Sequence, residues 1–145
     1  MATVRGCNFP DDLYYNVEDN IWGRLESDGT LTVGMTSYAV SLSGQIVAYT
    51  PKKVGKEVKQ GKSCATVESG KWVGPAKAPA SGEVVAVNDA VSANPSTIND
   101  DPYGAGWLVK IKPSDWAGES AVLLQGSALT DAYEKKMEAD GFGGC

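Results

Sequence analysis

Histidine is absent from the sequence, which removes Ser-His and Cys-His nucleophilic pairs and a histidine general base from the chemistry open to it. The cysteines, Cys7, Cys64 and Cys145, are odd in number and show no CxxC spacing. Neither a zinc site nor a disulfide framework is therefore predicted. No apolar stretch is long enough to span a bilayer, and Met1 to Arg5 lacks the apolar core of a signal peptide, so membrane insertion is not expected and a cytoplasmic location is. Positive charge is also scarce: 13 Lys and Arg stand against 18 Asp and Glu, a formal net charge of -5. Nucleic-acid binding normally needs a basic footprint, so protein partners are the easier reading. Any chemistry must be brought by an attached group.

What is present is a globular composition rich in turns. In 145 residues, 42% hydrophobic, there are 17 glycines and 7 prolines, enough for one core and many short strands. The expected organisation is one domain over residues 1–140 and a flexible, Gly-rich, cysteine-bearing tail over 141–145. Ile21 to Leu25 and Thr30 to Met35 alternate around Ser27-Asp28-Gly29, a hairpin signal. Thr36 to Leu42 reads as a short helix with Thr36 as N-cap and Gly44 beyond its last turn. Gly44-Gln45-Ile46-Val47-Ala48 and Gly82-Glu83-Val84-Val85-Ala86 share one pattern, which suggests two similar β-units packed face to face. Cys64 to Glu68 reads as a strand. Val73 to Ala80, interrupted by Gly74, Pro75 and Pro79, can pair only as an edge or irregular strand. Trp107 to Lys112 alternates again. Leu129, Tyr133 and Met137 recur every four residues behind Ser127, an amphipathic helix ending near Gly141.

Between two of these strands, Glu68-Ser69-Gly70-Lys71 places a lysine at a break, its root held by backbone and its stem directed into water. A swinging cofactor needs that geometry, and acylation would remove an ammonium that would otherwise have to be desolvated inside a partner. An arbitrary exposed lysine carries no such meaning, since long charged side chains on turns are commonplace. The residues around Lys71 decide the matter.

Gly55, Val58, Gly61, Val67-Glu68-Ser69, Lys71, Pro79, Ser81-Gly82-Glu83-Val84 and Val87-Asn88 fall in one register. So do Asn94-Pro95, Asn99-Asp100-Asp101-Pro102-Tyr103-Gly104, Gly106-Trp107-Leu108 and Lys110 to Asp115. In these positions the chain resembles the H-protein family of lipoyl carriers, from roughly Leu13 to Asp115 and more loosely through the last helix. The resemblance implies a mainly β fold: a flattened β-barrel sandwich, a hybrid of lipoyl domain and hammerhead, with short flanking helices and a C-terminal helix. It implies lipoic acid in amide linkage to Lys71, with Glu68, Ser69, Gly70 and Trp72 recognised around the arm. It also implies a lipoate-attaching enzyme as a partner, and a carrier rather than an enzyme in its own right.

Gly70 and Trp72 depart from the apolar, small residues usual in glycine-cleavage carriers, and Val73-Gly74-Pro75-Ala76-Lys77 replaces an acidic second arm. A changed face suggests changed partners. Together with Arg5-Gly6-Cys7, Phe9 to Tyr15 and the cysteine-bearing tail, it resembles the lipoate-binding proteins of sulfur oxidisers. That branch implies a sulfur cargo, a heterodisulfide reductase-like complex and a sulfur-transfer protein as partners. The alternative is a glycine cleavage carrier whose arm holds an aminomethyl group. A biotinyl carrier is disfavoured because methionine typically flanks its lysine on both sides.

Three features stay open at this level. Trp72 either shields the arm or contacts the attaching enzyme, or it folds back on the sheet. Cys7 and Cys145 lie near the termini as reachable thiols, candidate redox groups with no neighbouring histidine to activate them, whereas Cys64 is expected to be buried and inert. Lys52, Lys53, Lys56, Lys59 and Lys62 form a basic run, either a solvated loop or a steering patch for an acidic partner.

Overall fold

A computed structural model describes all 145 residues. Its strands are β1 (Ala2–Val4), β2 (Cys7–Phe9), β3 (Tyr14–Asn16), β4 (Ile21–Leu25), β5 (Leu31–Met35), β6 (Ile46–Pro51), β7 (Glu57–Val58), β8 (Ser63–Ser69), β9 (Val73–Lys77), β10 (Gly82–Val87) and β11 (Val109–Pro113). Short helices α1 (Ser37–Ser43), α2 (Asp89–Ala93), α3 (Thr97–Asp100) and α4 (Trp116–Glu119) flank them, and α5 (Gly126–Ala139) follows. The strands form a six-stranded sheet in the order β3-β4-β5-β11-β10-β7, a three-stranded sheet β6-β8-β9 and the small pair β1-β2.

The local signals explain these elements. Gly29 adopts a φ of +88° and Asp28 Oδ1 accepts the Thr30 N–H at 3.0 Å, so the Asp-Gly turn closes the β4-β5 hairpin. Thr36 caps α1 by accepting the Ala39 N–H at 3.2 Å, and Gly44 ends it at a φ of +78°, a backbone state that favours glycine. The proline-bearing strand β9 sits at a sheet edge, as its composition requires. The echoed segments become β6 and β10, one in each large sheet.

The two large sheets face each other as a flattened sandwich without closing into a barrel, since β3, β7, β6 and β9 remain edges. Between them lies a cluster of buried residues that includes Val33, Val84 and Ile111 from one sheet and Ala65, Val67 and Ala76 from the other. A second, aromatic cluster gathers Phe9, Tyr15, Trp22 and Tyr38 beneath α5, whose Leu129, Tyr133 and Met137 form its buried stripe. Ser127 does not cap this helix: it lies inside the first turn, and Gln125 precedes the helix without a side-chain cap bond.

Close strand packing fixes one glycine. A methyl group on Gly82 would stand 2.0 Å from the Lys112 carbonyl oxygen, and a backbone atom cannot move aside without opening the β10-β11 ladder. Gly82→Ala is expected to cost about 3 kcal/mol, the upper end of overpacking effects, measured as the shift of a urea unfolding midpoint.

The terminal segment differs from expectation. Residues 141–145 are tied down rather than free: Cys145 forms a disulfide with Cys7, its N–H donates to the Arg5 carbonyl at 2.9 Å, and Phe142 packs edge-on against Tyr38. The pairing joins residues 138 apart in sequence, so neither parity nor spacing of the cysteines could reveal it. Cys7 is also fully buried rather than reachable.

Burial pushes the hydroxyls of Tyr15, Tyr38, Tyr49, Tyr103 and Tyr133 above the ordinary tyrosine range, Tyr49 to about 12. In the unfolded chain they ionise near 10, so above that pH the folded state holds more protons and stability falls as pH rises. A series of thermal melts is expected to be flat through neutral pH and to drop from about pH 10 upward.

Candidate functional site

The break after Glu68 is a two-residue hairpin tip. Strand β8 alternates so that Ala65, Val67 and Ser69 are buried while Thr66 and Glu68 face solvent. Ser69 N–H donates to the Trp72 carbonyl at 2.7 Å, which closes the turn and leaves Gly70 and Lys71 at its apex. The Ser69 hydroxyl oxygen accepts the Lys71 N–H at 3.3 Å. The root of Lys71 is thus fixed to buried backbone, while its side chain is exposed and its ammonium enters no salt bridge. A methyl group on Gly70 would meet nothing within 4 Å, so the tip of the hairpin is uncrowded on that side.

The stem of Lys71 does not stand free in water. Its Cε lies 3.2 Å from where a methyl group on Gly44 would sit, so the hairpin leans on the C-terminal end of α1. There it borders a cleft of about 400 Å³ between Trp72, Ala39 and Leu42 of α1, Met35, and the Asp19-Asn20 turn. That turn is held on both sides. Asn20, at a φ of +58°, accepts the Thr36 N–H on its carbonyl at 3.1 Å, and its Oδ1 accepts the Tyr133 hydroxyl at 3.2 Å. Asp19 lies 3.8 Å from Lys77 Nζ, which leaves Lys71 the unpaired lysine of this hairpin.

Trp72 folds back on the sheet and also borders the cleft. Its indole folds back over Gly74, where a methyl group would come within 2.6 Å of Cζ2, and the same side chain lines the cleft. Leu42, Val47, Trp72 and Val73 are exposed apolar residues around the lysine. The basic run is less engaged: Lys52, Lys53, Lys56, Lys59 and Lys62 are all exposed and enter no salt bridge.

Cys64 is buried, and desolvation pushes its thiol up to about 12, which leaves it protonated and unreactive at neutral pH. Cys7 and Cys145 are not free thiols but the two halves of one bond. The sequence reading missed Asp19, Asn20 and the α1 wall of the cleft. A polar run, Asn16-Val17-Glu18-Asp19-Asn20, was the one available sign, and nothing in it indicates that α1 packs alongside.

This arrangement suits an acylated lysine. A free amine on a rigid root is reachable for amide formation, and the partly apolar cleft beside it can accommodate a methylene chain. No cluster of His, Cys, Asp or Glu side chains is suited to hold a metal ion.

Known proteins agree with the geometry. The family model for the glycine cleavage H-protein matches residues 13–138. The chain is 48% identical to glycine cleavage system H protein 5 of Aquifex aeolicus over 97% of both chains. It is 47% identical to the glycine cleavage system H protein of Cronobacter sakazakii, over 90% of this chain and 97% of the relative. The crystal structure of a glycine cleavage system H protein from Mycobacterium marinum superposes with a TM-score of 0.75 at 37% identity, covering 92% of this chain and 99% of that one.

Proposed function

The chain belongs to the glycine cleavage H-protein family, whose members are carriers of lysine-bound lipoate and not catalysts themselves, and on that premise we propose that Lys71 bears the lipoyl group. The observation that carries this reading is the exposed, unpaired amine of Lys71 on a hairpin tip whose root is hydrogen-bonded to buried Ser69. Lipoate supplies a pair of sulfurs on a long arm, able to hold a transferred group or two electrons. The chain supplies the rest. Ser69 and the Trp72 carbonyl hold the root, Gly70 leaves the hairpin tip uncrowded where an attaching enzyme would dock, and the cleft beside α1 receives apolar chain.

We further propose that the cargo is an aminomethyl group and that the partners, besides the lipoate-attaching enzyme, are glycine cleavage enzymes in the cytoplasm. The support is near full-length similarity to proteins described as glycine cleavage carriers. This displaces the sulfur cargo, with its heterodisulfide reductase-like complex and sulfur-transfer partner, that the altered face suggested. One observation keeps the sulfur reading as the second candidate: Trp72 covers Gly74, and Lys77 pairs with Asp19, so the second arm of the hairpin presents an indole and a neutralised charge. One experiment separates the two. Lipoylated protein with its arm in the cyclic disulfide form is incubated with glycine and glycine decarboxylase, protein with its arm reduced to the dithiol is incubated separately with a sulfane-sulfur donor, and the Lys71 peptide is weighed. An aminomethyl adduct in the first arm alone supports the proposal; a sulfur adduct in the second alone reverses it.

A further inference from the structure

Helix α1 has a sulfur-bearing group at one end and the root of the arm at the other. At its start, Cys145 Sγ lies 3.9 Å from the Ser37 carbonyl oxygen. At its finish, the Lys71 stem packs on Gly44, its Cε 3.2 Å from the position of a methyl group there. The helix has 7 residues, and that many rise about 10 Å. An extended lipoyl chain reaches about 10 Å beyond Cε to its nearer sulfur. Ser37, Val40, Ser41 and Gly44 share one face of the helix, Ser41 exposed and the other three half-buried, so that face is partly open to solvent from one end to the other.

We propose that the Cys7–Cys145 disulfide is an internal redox partner of the dithiol borne on Lys71, with electrons passing between them along the partly open face of α1. The inference rests on Lys71 carrying the arm. Burial decides which sulfur reacts: Cys7 is fully buried and Cys145 is exposed. Attack therefore falls on Cys145 Sγ. A bond forms from the incoming thiolate to Cys145 Sγ as the Cys7–Cys145 bond breaks, and Cys7 leaves with the bonding pair and takes up a proton. Cys145 Sγ is then displaced by the second thiol of the arm, which closes its own cyclic disulfide, and Cys145 gains a proton. Two electrons and two protons have moved from the dithiol to the cysteines, and no further oxidant is needed. Both groups sit on one chain, so their effective concentration is of about millimolar order, well above that of a dilute protein. Reduction of this bond also releases Cys145 from β2, which couples the redox state of the arm to the anchoring of residues 141–145.

The test titrates lipoylated protein with NADH and a catalytic amount of dihydrolipoyl dehydrogenase, and then traps thiols by alkylation for peptide mass mapping. Wild-type protein is expected to take up two equivalents of NADH and to show alkylated Cys145, with a rate for Cys145 release that does not change when the protein is diluted tenfold. The Cys145→Ser variant is expected to take up one. Unlipoylated wild-type protein is expected to take up none. One equivalent in wild-type protein, with Cys145 unalkylated, overturns the relay and leaves the carrier assignment intact. No uptake by protein put through lipoylation overturns the assignment of the arm along with the relay. Release of Cys145 in proportion to protein concentration, or in unlipoylated protein, also overturns it, since exchange between molecules or direct reduction would then account for the thiols. The decisive readouts come from wild-type protein and do not depend on the variant folding well.

Discussion

Lys71→Arg is expected to abolish lipoylation completely, so that incubation with a lipoate-attaching enzyme leaves the intact mass of the variant unchanged while the wild-type protein gains one lipoyl group. The guanidinium keeps the positive charge and most of the stem but has no amine that can form the amide. The fold should not notice. Lys71 is exposed and in no ion pair, and such surface changes fall within about 0.5 kcal/mol, a shift of a few degrees at most in Tm. A lipoyl group found on Lys77 of the variant would refute the assignment. The geometry argues against that result, because Lys77 faces Asp19 at 3.8 Å and lies at the far end of β9 from the hairpin tip.

The largest change in stability is expected from Cys145→Ser. The disulfide closes a loop of nearly the whole chain, with 138 residues of separation, and chain-entropy arguments give about 4 to 5 kcal/mol for a loop of that order. Differential scanning calorimetry of the variant should show Tm lowered by on the order of 10 °C. Wild-type protein treated with a reductant should fall to the same value, since both routes remove the same covalent constraint. A variant melting within a degree of wild type would mean that Phe142 packing on Tyr38 and the Arg5 contacts already hold the tail, with the bond adding nothing.

How far the sequence could carry the reading depends on whether the physical cause was local. The hairpin at Asp28-Gly29, the Thr36 cap, the edge placement of β9 and the buried stripe Leu129, Tyr133, Met137 all follow from neighbours within a few residues, and all are present. Lys71 stands at a break between two strands, but what distinguishes it from other exposed lysines is the resemblance to the H-protein family carried by residues from Leu13 to Asp115. The disulfide was missed because its halves lie at opposite ends of the chain and are brought together by β2 and the last residues. The cleft was missed for a similar reason. Its walls come from the Asp19-Asn20 turn, from α1 and from β8-β9, and no periodicity relates segments that meet only in three dimensions. The stem of Lys71 was expected in solvent because a turn normally projects outward, whereas here a helix end stands under it.

The division of the apolar interior into a sandwich cluster and an aromatic cluster bears on how the molecule breathes. Amide hydrogen exchange reports cooperative units that open separately when they share few buried contacts. The aromatic unit contains β1, β2 and α5, which are the two ends of the chain, whereas the root of Lys71 belongs to β8, whose buried residues lie in the sandwich unit. Tyr38 of α1 and Tyr133, which holds the Asn20 turn, also belong to the aromatic unit. Its opening is therefore expected to release the wall on which the Lys71 stem leans while the Ser69–Trp72 closure of the hairpin itself stays intact, and amides of β1, β2 and α5 should exchange before those of β8.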